Sequence, residues 1–234
     1  MGLQGARLRG IVVAVHFAPQ VSLDPDSQKE LQRAVEERGI EINYVKRGVE
    51  ESELGRRHPN SRELLRVHAK VNVLTVDERF PRPSETVVVE EIDEVLKAAI
   101  EVFNPSLLPV LSVRIRKQAA APGGDARVFL GDRVLGFSER RKAAFGRPIH
   151  TVGLTFFMPP YNLGDQEETS PRESNAMEVR IESLNENVAD LYLECACHFF
   201  EPMDPSEFAT VRPRVEATER FLDERVVAFL EQGE

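Results

Sequence analysis

Residues 8–18 read LRGIVVAVHFA, a β-branched run that stops at Pro19. Branched side chains fit an extended backbone, and the run is too short for a helix core. It predicts a strand buried on both faces or nearly so. Just downstream, Asp24-Pro25-Asp26-Ser27 supplies a helix start, with proline tolerated in the first turn. Ser27 stands three residues before Glu30, the spacing of a capping box, and Gly39 closes the helix. Residues 40–45 (IEINYV) alternate and predict a second strand, and residues 46–62 are polar enough to predict a loop through His58-Pro59-Asn60. In residues 66–76 (RVHAKVNVLTV), Val67, Ala69, Val71, Val73 and Thr75 alternate with His68, Lys70, Asn72 and Leu74, which predicts one third strand.

Beyond Pro81 and Pro83, apolar residues at 88, 92, 95, 96, 99, 100 and 103 have the spacing of a core-facing helix. Glu90, Glu91, Asp93, Glu94, Lys97 and Glu101 fall on its outer, solvated face. A strand over 107–116 leads to AAAPGGD at 119–125, the best candidate for a junction. Residues 127–137 predict a hairpin turning at Gly131-Asp132, then a short helix near 139–145 and a strand near 151–157. After a polar loop over 159–175, strands are expected at 177–184 and 189–200. Asp204-Pro205 opens the last helical region, where Phe208, Val211, Val215, Leu222, Val226 and Phe229 form one stripe, with Pro213 kinking or dividing the helix. Strands in succession mixed with strand–helix steps define an α+β class with a mixed, largely antiparallel sheet and amphipathic helices.

The 234 residues allow one domain or two, divided here as units 1–118 and 127–234 around the junction at 119–126, or as one continuous domain. The formal charge of −9 is uneven. Residues 1–150 hold 24 Lys and Arg against 21 Asp and Glu, whereas residues 151–234 hold 6 against 18. Arg127, Arg133, Arg140, Arg141, Lys142 and Arg147 make a basic stretch that an acidic helix is expected to shield. The acidic balance, the lack of Trp and the core-like spacing of Phe129, Phe137 and Phe145 argue against nucleic acid. No apolar run approaches the roughly 18 residues of a membrane span. Arg7 and Arg9 are not followed by a signal-peptide core, and Cys195 and Cys197, two apart in a strand, lie too far apart for an unstrained bridge, so the cytoplasm is the expected compartment.

Ala14-Val15-His16-Phe17 and Ala196-Cys197-His198-Phe199 each end an apolar strand, and an Asp-Pro helix opener follows each. This suggests two related strand–helix units about a pseudo-twofold axis. His16 and His198 would then point to the sheet face opposite Val15 and Cys197, and with Tyr161, beside Asn162, they form the best ligand-binding candidate. Cys195, Cys197 and His198 lack the two spaced pairs of a zinc site, and Cys197 has no local group to lower its pKa. Phosphate-cradling glycine motifs and the G-x-S-x-G elbow are missing. The sequence thus points to a non-enzymatic protein without metal or cofactor that self-associates or binds a protein partner through sheet edges and the terminal helix. The alternative is a small-molecule-binding protein or enzyme with a pocket between the two units.

Overall fold

The opening run forms β1 (Arg7–His16), which lies in the interior of one antiparallel sheet. The computed structural model describes residues 6–57, 63–79, 85–160 and 175–232. The other strands are β2 (Tyr44–Arg47), β3 (Glu51–Arg57), β4 (Glu63–Lys70), β5 (Val73–Arg79), β6 (Leu111–Ala120), β7 (Gly153–Met158), β8 (Asn175–Ser183) and β9 (Asp190–Phe199). Their lateral order is β2-β3-β4-β5-β1-β6-β9-β8-β7. The helices are α1 (Pro25–Glu37), α2 (Glu85–Phe103), α3 (Ala126–Val128), α4 (Glu139–Ala143), α5 (Arg212–Phe221) and α6 (Val227–Glu231). The class is α+β, as expected, and no described helix is long and apolar enough to cross a membrane.

Alternation divides the sheet into two faces. Ile11, Val13 and Val15 of β1 lie opposite Ile115, Val113 and Leu111 of β6, and all six are buried. The same face continues through Leu74 and Val76 of β5 and through Cys195 and Cys197 of β9. Leu31 and Val35 of α1 and Ile92, Val95 and Leu96 of α2 pack in the core cluster that this face forms. Leu222, Val226 and Leu230 join a second cluster over β8 and β9. The opposite face carries Val12, Ala14, Ser112, Arg114 and their neighbours, half-buried instead of sealed.

Several local expectations change. Asp24, not Ser27, caps α1: its carboxylate accepts hydrogen bonds from the Asp26 and Ser27 N–H groups at 3.0 and 2.8 Å. Residues 46–62 are not all loop, because 51–57 form β3. The single strand expected over 66–76 is a hairpin with a two-residue turn at Val71-Asn72. That turn reverses the parity, so Leu74 and Val76 are buried where the alternation favoured Val73 and Thr75. Residues 127–137 form no hairpin. The Asp125 carboxylate accepts from the N–H groups of Arg127 and Val128, and α3 runs on into a π-helical turn, Phe129–Val134. Ala126, Phe129 and Leu130, at helical spacing, are buried.

Asp204-Pro205 opens only a 3-10 turn, Pro205–Glu207, and Pro213 sits in the first turn of α5 instead of dividing a helix. The repeat read from the sequence is not confirmed. A 13-residue helix follows β1, but this short turn follows β9.

Charged residues also tie helices to the sheet. Glu78, fully buried on the helix-bearing face, faces Arg56, which bonds Glu91 of α2 at 2.8 Å. Burial opposes the Arg56 charge more than any other single influence, but the Glu91 hydrogen bond and the charges of Glu91, Glu78 and Glu41 together outweigh it and the pKa is raised. Lys117 reaches Glu219 of α5 at 2.5 Å and Asp223 at 2.8 Å. Asp93 is not on a solvated face: it is 7% exposed and accepts from the Val211 N–H and the Thr210 hydroxyl at 2.8 and 2.5 Å. Replacing Asp93 by alanine strands a buried N–H and is expected to cost about 2 kcal/mol. The check is urea unfolding, with a lower midpoint at an unchanged slope; an unaltered midpoint refutes it.

Candidate functional site

His16 and His198 stand on the half-buried face, opposite the buried side chains of Val15 and Cys197. They lie on β1 and β9, which flank β6 on its two sides. His198 is opposite Ser112, which is opposite Ala14 on the far side, so His16 is one strand over and two residues along. Ser112 Oγ and His198 Nδ1 are hydrogen-bonded at 2.8 Å. Tyr161 and Asn162 lie outside the described residues, so the third member of the expected site has no described place.

Burial holds the His198 pKa below its ordinary value, and the positive charge of Arg114 acts in the same direction. A hydroxyl bonded to an uncharged imidazole suggests a nucleophile and its base. Acyl transfer also needs donors aimed at a developing oxyanion. Ser112 sits within the β1–β6–β9 ladder, and neither His16 nor His198 lines either of the two described cavities. The arrangement can fix and exchange a proton.

The same face carries a ladder of charges. Arg116 bonds Asp77 and Glu194, both at 3.2 Å, and the Tyr192 hydroxyl donates to Glu194 at 2.6 Å. Neither cysteine is in a disulfide, both are buried on the other face, and desolvation pushes the Cys195 thiol up to about 12, with Cys197 adding to it. Among the described residues, no three His, Cys, Asp or Glu side chains are grouped to hold a metal ion. The basic stretch is answered locally: Arg127 pairs with Asp125, and Lys142 with Asp132 and Glu139. The acidic side chains of the C-terminal region instead grip Lys117.

The strongest surface feature lies at the sheet's end. β7 reads GLTFFM and carries no charge. Its inner edge bonds β8, with Val152 O accepting from Ser183 N at 2.9 Å. Antiparallel ladders alternate bonded and unbonded pairs, so Leu154, Phe156 and Met158 bond inward. Gly153, Thr155 and Phe157 therefore direct their N–H and C=O groups away from the sheet, where no other described strand pairs with them. Phe157 is 66% exposed and Phe156 36%. Phe156 meets Phe229 of α6 edge-on, with ring centroids 5.3 Å apart. Together with Phe221 and Arg225 they line a groove of about 500 Å³.

The opposite edge differs. β2 is four residues long, carries Lys46 and Arg47, and has the Arg57 guanidinium 3.3 Å over the Tyr44 ring. Short length and charge are the usual protections of an exposed edge. The sequence did mark a strand near 151–157, and its lack of charge was the available signal. Phe229, the last residue of the apolar stripe, is 41% exposed. No family model matches the chain, and no curated protein matches it.

Two measurements check this description. In a ring-proton titration His198 should titrate below the ordinary value of 6.5, and a midpoint at or above it refutes the assignment. Since the folded pKa is the depressed one, the stability due to the neutral ring is present above about 6.5 and is lost as the pH falls towards the folded value. Neither cysteine should react with a thiol reagent at pH 8 in the native protein, and both should react once urea unfolds it; rapid native labelling contradicts the burial.

Proposed function

We propose that this is a non-enzymatic protein that works by associating with protein, its own copy or a partner, through the β7 edge and the adjoining terminal helix. The observation that carries the reading is the outer edge of β7. It offers outward backbone groups at Gly153, Thr155 and Phe157, no charge, and two exposed phenylalanines beside Phe229. An uncharged, aromatic edge strand favours strand addition: backbone hydrogen bonds supply affinity and the flanking aromatic groove supplies selectivity. The cytoplasm remains the proposed compartment, supported by two buried cysteines that are not joined in a disulfide.

A second reading has one observation in its favour. Arg225 lines the same apolar groove and forms no ion pair with a described residue. A long-chain carboxylate would match that pairing of apolar wall and cation. Dodecanoate binding measured by calorimetry, weakened about tenfold in Arg225→Gln, would support it, and absence of binding would remove it.

The primary reading is tested by hydrogen exchange on the purified protein. If an added strand occupies the β7 edge, the Gly153, Thr155 and Phe157 amides exchange far more slowly than exposed amides do. Free-solvent rates at all three, in the purified protein and in cell extract alike, would show a solvated edge and defeat the reading.

A further inference from the structure

We propose that the occupant of the β7 edge is a second copy of this chain, paired antiparallel about a twofold axis that passes through Thr155. This rests on the strand-addition reading above and names its partner. In that register Thr155 faces the partner's Thr155, and Gly153 faces the partner's Phe157. All three outward-directed residues then meet outward-directed residues, so each backbone donor finds an acceptor. Shifting the centre by one residue in either direction keeps the outward groups facing one another but leaves an outward-directed residue, Gly153 or Phe157, without a strand partner, whereas the centre at Thr155 leaves over only Met158, which bonds inward.

Side-chain chemistry agrees with this register. Gly153 has no side chain to compete with the partner's exposed Phe157 ring, and an aromatic ring laid over a cross-strand glycine is a favourable pairing. On the helix-bearing face Leu154 lies opposite the partner's Phe156, which extends the groove past Phe229 across the axis. No like charges are brought together, because the strand has none. The other edge is a poorer partner: β2 would set Lys46 and Arg47 against this apolar strand and is two residues shorter.

The test combines mass, exchange and cross-linking on the full chain. Light scattering after size exclusion should give twice the chain mass. Thr155→Cys should form an intermolecular disulfide on mild oxidation, because paired Cα atoms at the axis are about 5.5 Å apart, within disulfide reach. Met158→Cys should not, since its two copies lie about 20 Å apart along the strands. The native cysteines are buried and do not compete. Thr155→Pro removes an outward N–H without touching the β8 ladder, and Phe157→Lys adds a charge at an exposed ring; each should yield monomer. If the proline variant fails to fold, the lysine variant still decides.

A monomer whose Gly153, Thr155 and Phe157 amides are nevertheless protected overturns the second copy while sparing strand addition by another segment. A monomer whose amides are unprotected in the purified protein and in cell extract alike overturns both. A dimer that Thr155→Cys does not cross-link overturns the proposed axis.

Discussion

The structure depends on the pairing of β1 with β6. These strands are about 100 residues apart in the chain, and Ile11, Val13 and Val15 meet Ile115, Val113 and Leu111 across the ladder. From that pair the sheet grows outward in both directions, by β5, β4, β3 and β2 on one side and by β9, β8 and β7 on the other. Closing so long a loop costs entropy that local contacts cannot return. The hydrogen bonds from Asp93 to Thr210 and Val211 add a second long-range tie, between α2 and the start of α5. The two ends of the chain are therefore held together by the middle of the sheet and by a buried carboxylate above it.

The charge distribution has a structural meaning once the partners are known. Glu78, Arg56 and Glu91 form one internal grip, and Lys117 with Glu219 and Asp223 forms another. Each joins a strand to the helical region above it. A buried charge without its counter-charge costs several kcal/mol, so these groups restrict where the helices can lie. Part of the acidic excess of residues 151–234 is thus the complement of a lysine from the first half of the sequence.

Much of the fold was legible because it is periodic. The strand at 8–18, the helix at 85–103 and the strands near 177–184 and 189–200 all lie close to where side-chain spacing placed them. The failures share a physical cause: each depended on a turn or on a distant partner. Asn72 let a hairpin replace one strand, Asp125 turned an expected hairpin into a helical segment, and Asp93 was read as solvated because Val211 lies 118 residues away. At the candidate site, alternation correctly set His16 and His198 apart from Val15 and Cys197, but Ser112 was visible only through register. Phe156 and Phe157 belonged to a strand already read, yet spacing alone cannot say that a strand is the last in its sheet.

That difference between the last strands has a consequence for growth. A sheet with two adhesive ends adds molecules without limit and becomes a filament, whereas a sheet with one such end can at most double. If β7 is the adhesive end proposed above, Lys46 and Arg47 on β2, remote from the aromatic groove, would act as an end stop on the whole molecule. Two cations on a four-residue strand would thereby help keep a protein with an adhesive edge from polymerising.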